Sequence, residues 1–154
     1  MHFMNLNSID ELTTLADFAE RKAEAVSAWS VGTHIQHLSL AMSGISKALL
    51  ASSSPMPPAR FSLPKFFVLL LGRIPRGKGR APKSTIPEKE VSKEEVLAAL
   101  AAAREGMVAA QSVPFDRWFQ HPMFGPLTKD QTLRFVEIHN RHHLAIIREI
   151  LAAR

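Results

Sequence analysis

The stretch TKDQTLRFVEIHNRHHLAIIREIL, residues 128–151, decides the fold class, because it carries a helix start, a helix period and a histidine cluster together. Thr128 and Gln131 have the spacing of a capping box, in which the hydroxyl accepts from the amide three residues on and the Gln side chain reaches back. Leu133, Val136, His143, Ile147 and Ile150 then recur by threes and fours, the stripe of an amphipathic helix, with a polar Asn140 at its edge. At about 100° per residue, His139 and His143 fall inside that stripe and His142 at its margin, while Glu137 and Arg141 face solvent. Two of the three clustered histidines are expected to point inward.

Three further segments repeat the pattern. SIDE (8–11) and SKEE (92–95) are capping boxes of the same kind, and WSVGT (29–33) offers Ser30 as an N-cap, with Thr33 where the reciprocating acid would stand. Behind them, Ile9, Leu12, Ala16, Ala19, Ala23 and Val26 form one stripe. Ile35, Leu38, Met42, Ile45 and Leu49 form a second, and Val96, Leu100, Ala103 and Met107 a third. No segment alternates convincingly with a period of two, so strands are not expected. Four amphipathic helices in 154 residues predict an all-α four-helix bundle, a single domain over 1–154.

The joint between the second and third helices differs in kind. Residues 52–91 hold seven prolines, where most bundle connections take only ~2–8 residues. They read as a long crossover or a functional flap. Within them PKFFVLLLG (64–72) has Pro64 for a first helical turn and Gly72 for an end, which predicts a short helix. Its apolar run is expected to be buried by the bundle or by a second subunit, and 73–83 to be mobile. Between 60 and 83 lie Arg60, Lys65, Arg73, Arg76, Lys78, Arg80 and Lys83 and no acid, a local charge of +7 in a chain whose net charge is +5. The only aromatics among them are Phe61, Phe66 and Phe67, and no nucleic-acid motif occurs. Nucleic acid is therefore not the expected partner; a solvated loop, an anionic-substrate flap or a subunit contact is.

Composition excludes several classes. With 46% hydrophobic and 21% charged residues, the chain is an ordinary globular one. Cysteine is absent, so disulfides and thiolate metal sites are ruled out, and a metal would need His, Asp or Glu. The start MHFMNLNSIDEL lacks a basic region followed by an apolar run, and FFVLLL (66–71) falls far short of the roughly 20 residues of a membrane span. A cytoplasmic location and no membrane partner are the expectations.

An i, i+4 pair such as His139 and His143 sets its Cβ atoms about 5–6 Å apart, so both imidazoles can meet one ion at roughly 2.0–2.1 Å per bond. The rival reading is a pair of core histidines satisfied by hydrogen bonds. A third ligand has two candidates in WSVGTHIQHL (29–38). His34 lies nearer the apolar stripe of its helix, while His37 lies beside Ala41, Gly44 and Ala48, small residues that let another helix come close. Periodicity alone favours His34.

WSVGTHIQHL and the later HPMFGPLTKDQTLRFVEIHNRHHLAII (121–147) resemble the two signature regions of the DinB/YfiT-like metalloenzyme superfamily, and within it a branch with HP-x-FG before the last helix. The resemblance follows the helix order of the whole chain and matches in detail over these two regions. It departs at Thr33, where the family commonly has Glu, and at His34, a second histidine beside His37. It implies a four-helix bundle of the DinB/YfiT type with its long crossover between helices two and three. It further implies one divalent ion, Zn, Ni or Fe, held by His37, His139 and His143. Three histidines leave coordination positions open, as catalytic sites do. Such an ion could ionise a water, polarise a substrate oxygen or hold a thiolate.

The expected function is a metal-dependent transferase or hydrolase acting on a small molecule, with any thiol supplied by a cosubstrate. No strong general base is evident, which leaves His34, His121 and His142 as supporting or proton-shuttling candidates. Trp29 and Trp118 read as packing residues. A non-catalytic metal-binding bundle and an interaction module working through the basic crossover are the alternatives, and a homodimer is a further expectation.

Overall fold

The computed structural model describes residues 4–77, 81–87 and 89–153. Among the described residues the chain is mostly helical: α1 (Asn7–Leu15), α2 (Val31–Ala51), α3 (Leu63–Leu71), α4 (Lys93–Ser112) and α5 (Lys129–Ala152). A small antiparallel hairpin of β1 (Trp118–His121) and β2 (Gly125–Thr128) precedes α5 and departs from the all-helical expectation. The helices enclose one hydrophobic core, where Leu12, Leu38, Leu100 and Ile147 meet from α1, α2, α4 and α5. Among the described residues, no helix is long and apolar enough to cross a membrane.

Helix starts follow local sequence where nothing else competes. Thr128 and Gln131 close a capping box on α5, and Ser92 and Glu95 close one on α4. The third box does not form. Helix α1 begins after Leu6 with no side-chain cap, and the Ser8 hydroxyl instead accepts a hydrogen bond from the buried Asn140 amide at 3.1 Å.

The first stripe also ends early. Apolar spacing continues to Val26, yet α1 stops at Leu15 and a single 3-10 turn, Ala16–Phe18, follows. The cause is tertiary. The Ala19 and Arg21 carbonyls, which a longer helix would use internally, accept from the Gly32 and Val31 amides at 2.8 and 2.9 Å. These bonds satisfy the first amides of α2, which have no partner within their own helix. Position 32 needs glycine, because a Cβ there would lie 3.0 Å from the Ala19 carbonyl oxygen.

Ser30 caps α2 by accepting from the Thr33 amide. The carboxylate missing at position 33 arrives from the far end of the crossover: Glu90 Oε2 accepts from the Ser30 hydroxyl at 2.8 Å and from the Thr33 hydroxyl at 3.3 Å. Close approach of α4 to α2 occurs where Gly106 meets Ser46; a Cβ at 106 would sit 2.5 Å from the Ser46 oxygen. The expected close-packing position, Gly44, has nothing within 4 Å of its Cβ site. Lys129 is buried with its ammonium donating to the Gln111 and Val113 carbonyls at 2.6 and 2.7 Å. It thereby places a positive charge at the negative end of α4.

The crossover is the long connection expected. Its helix α3 has Ser62 as N-cap, Pro64 in the first turn and Gly72 in the left-handed conformation (φ 64°) at its end. Its burial differs from expectation. Only Val68 is buried, while Leu63, Phe66, Phe67, Leu70 and Leu71 are exposed. The helix is pinned by polar bonds at its inner side, from Lys65 Nζ to the Pro126 carbonyl (3.2 Å) and from Arg134 Nε to the Leu69 carbonyl (2.9 Å). Of the stretch expected to be mobile, 78–80 lies outside the described residues, while Arg76 is held in two bonds to Glu149 at 2.8 and 2.7 Å.

Candidate metal centre

Helix α5 carries His139 and His143 one turn apart, and α2 presents His37 to them. One ring nitrogen from each lies within 4.8 Å of the others; His37 and His143 are buried and His139 partly so. These three could hold a metal ion. His37 Nε2 and His139 Nε2 are 3.2 Å apart. Two ligands on one tetrahedral ion, with bonds of roughly 2.0–2.1 Å, stand about 3.3 Å apart, so this separation suits a shared ion.

The tautomer of His37 is set from outside the cluster. Its Nδ1–H donates to the Thr85 carbonyl at 2.8 Å, which leaves the Nε2 lone pair facing His139. Orienting a ligand histidine through its other nitrogen is how metal sites fix ring direction and raise basicity. Thr85 belongs to the short 3-10 turn Lys83–Thr85, so the crossover reaches into the site at this point.

His34 is equally buried but is engaged elsewhere. Its Nδ1 lies 2.9 Å from His143 Nδ1 and its Nε2 lies 3.0 Å from the Ser27 hydroxyl. That hydroxyl also accepts from the Trp29 amide at 3.1 Å. One consistent arrangement has His143 Nδ1–H donating to His34 Nδ1 and His34 Nε2–H donating to Ser27, which frees His143 Nε2. The structure thus groups His37 with the α5 pair and sets His34 behind His143. The apolar stripe of α2 favours His34, but that helix is buried on several faces and both histidines are enclosed.

Burial keeps the rings neutral. It lowers His139 to about 3, with His37, His142 and His121 adding repulsion, and lowers His34 to about 4, with His37, His142 and Arg76 adding. Burial holds His143 still further below the ordinary histidine value, and His139, His37 and His34 deepen the effect. His37 is lowered by burial, against the opposing bond to Thr85. Neutral imidazoles offer lone pairs at pH 7, as metal ligation requires.

The other candidates occupy different positions. His142 is half-buried with its ring centroid 5.2 Å from that of His143, and burial followed by the Arg76 charge lowers its pKa. His121 does a structural job. Its Nδ1 accepts from the Met123 and Phe124 amides at 3.1 Å each, and its ring stacks on Phe124 with centroids 4.2 Å apart. The HPMFG motif is therefore a hairpin turn, closed by His121 at one end and by Gly125 (φ 70°) at the other.

Three neighbours of the site were not legible as such. Trp29 packs its ring 5.3 Å from His34, 5.2 Å from His37 and 6.3 Å from His143, covering the cluster rather than merely ending a helix. Phe135 stacks on His139 at 5.5 Å. Its position four residues before His139, on the same helix face, was the available signal. Thr85 contributes only its carbonyl, so no side-chain pattern could reveal it. A cleft of about 390 Å³ lined by Ile9, Asp10, Thr13 and Arg104 includes none of the histidines.

The chain belongs to the DUF1569 family, described as a protein of unknown function, whose model matches residues 1–150. No curated protein and no solved structure matches the chain.

Proposed function

We propose that this protein is a four-helix bundle of the DinB/YfiT-like kind that binds one divalent ion through His37, His139 and His143. On this reading it uses the ion in a transferase or hydrolase reaction on a small molecule. The observation that carries the reading is the 3.2 Å approach of two imidazole nitrogens, with the other nitrogen of His37 already committed to a backbone carbonyl. Zinc, nickel and iron all accept imidazole, so the donor set fits each.

Bound there, the ion supplies Lewis-acid polarisation of a substrate oxygen or sulfur. The chain's own residues do the rest. Thr85 holds His37 in one tautomer, and the His34–Ser27 pair offers a partner for His143 Nδ1. Trp29 shields one side from water, which strengthens electrostatic interactions within. Cysteine is absent, so a thiol in the reaction comes from a cosubstrate.

Elemental analysis of untagged protein tests the site. Wild type should carry about one divalent ion per chain, His37→Ala and His143→Ala should carry almost none, and His34→Ala should retain most. Equal metal in wild type and His143→Ala would overturn the assignment, and loss in His34→Ala alone would make His34 the ligand. A small thiol added to cobalt-loaded protein then separates catalysis from storage. A sulfur-to-metal charge-transfer band supports an open coordination position, and its absence favours a non-catalytic metal-binding bundle.

A further inference from the structure

The exposed face of α3 is unusual in having no polar residue on it. At about 100° per residue, Leu63, Phe66, Phe67, Leu70 and Leu71 share one arc of roughly 140°, while Lys65, Val68 and Leu69 turn toward the body of the protein. With Phe61 just before the helix, these six side chains are between 47% and 78% exposed. The aromatic members touch one another, with ring centroids of Phe61 and Phe66 at 6.3 Å and of Phe66 and Phe67 at 5.6 Å. Together they expose on the order of 600 Å² of apolar side chain, at the upper limit of what soluble monomers show.

Charge decides among the occupants. Arg60 and Arg73 bracket the helix and Lys83 follows; all three are exposed, and among the described residues none is in an ion pair. No acid lies between residues 60 and 83. A second copy meeting this face through a two-fold axis would bring like charges together. It would also bury less than the ~800 Å² per partner of a standard interface. An anionic lipid surface matches both features, since it accepts an apolar face at the acyl boundary and pairs with flanking cations at the headgroups.

We propose that α3 is an interfacial helix that docks this protein on membranes bearing anionic lipids. The expectation of no membrane partner rested on span length, which governs crossing and says nothing about lying on a surface. The proposal is independent of the metal centre, and its test needs no metal.

Full-length protein should sediment with vesicles of phosphatidylcholine containing phosphatidylglycerol and stay in solution with phosphatidylcholine alone. Phe66→Ser combined with Leu70→Ser should lower the partition tenfold or more while shifting the unfolding midpoint only slightly, because both side chains are already about half exposed or more. Arg73→Gln should lower it roughly fivefold, and added salt should weaken it. Failure to sediment with the anionic vesicles at low salt would overturn the proposal. So would binding untouched by the Phe66/Leu70 change, which would mark a purely electrostatic polyanion contact. A concentration-dependent dimer abolished by that change would replace the lipid with a second copy.

Discussion

Helix α5 and the crossover at 52–91 meet at the same site but are specified in different ways. α5 carries its own instructions: a capping box, an apolar stripe, and two histidines one turn apart. The crossover is specified by where it lands. Glu90 completes the cap of α2, the Thr85 carbonyl orients His37, and Arg76 grips Glu149 on α5. Local sequence is enough to form a structure when its hydrogen bonds close within the segment. A segment whose bonds close elsewhere takes its shape from its partners.

Core truncation should show the largest contrast between the two. Ile147 of α5 is fully buried, so Ile147→Ala should cost about 2–5 kcal/mol in urea unfolding. Leu70 of α3 is mostly exposed, and Leu70→Ala should stay within about 0.5 kcal/mol. Comparable losses at the two positions would mean that α3 is packed in solution as firmly as α5.

The same division explains what could be read in advance. The apolar stripes of α2, α4 and α5, the boxes at Ser92 and Thr128, and the ends of α3 at Pro64 and Gly72 were legible because each depends on residues within one or two turns. The early stop of α1 was not legible, since nothing near Ala19 says that its carbonyl will serve Gly32. The hairpin was missed because its four-residue strands are too short for alternation to register. At the site, His139 and His143 followed from periodicity. His37 came from resemblance, and periodicity pointed to His34, because a stripe reports average burial and not which neighbour a ring meets.

A pH titration of the chelator-treated protein should give the next largest effect. His121 sits at about 4, His34 at about 4 and His139 at about 3, all lowered first by burial from an ordinary value near 6.5. The unfolded chain therefore binds more protons below that value, so stability should be full above about pH 6.5 and fall as pH drops toward 4. His121→Asn keeps an acceptor for the Met123 and Phe124 amides but cannot titrate, so its urea midpoint should fall less over that window. An identical fall in wild type and variant would show that His121 is not buried neutral in the turn.

Caps should give smaller effects of similar size by different routes. Thr128→Ala removes a local cap from α5 and should cost about 1 kcal/mol. Glu90→Gln removes the charge that the crossover delivers to the N-terminus of α2, and should cost roughly 0.3–1 kcal/mol, less at high salt. Hydrogen exchange would separate the two: Thr128→Ala should speed exchange at the start of α5 only. Glu90→Gln should speed it at the start of α2 and also around Thr85, because the crossover is held at both points. Faster exchange confined to α2 would show that Thr85 is positioned without Glu90.

The smallest stability change belongs to the bond that joins the two regions most visibly. Arg76 and Glu149 form a two-point contact at 2.8 and 2.7 Å, but both side chains are about half exposed, at 47% and 54%. Exposed pairs of this kind are worth about 0–1 kcal/mol, since water screens the attraction and ordering two long side chains costs entropy. Arg76→Gln should therefore barely move the unfolding midpoint. Its charge should be felt by the histidines instead, because Arg76 contributes to lowering both His142 and His34. Removing it should move both rings back toward the ordinary histidine value, the half-buried His142 being the easier one to follow by NMR. Burial is the larger cause at each ring, so the return should be partial. An unchanged His142 titration in Arg76→Gln would place the guanidinium away from the cluster, and with it the segment of crossover that Glu149 holds.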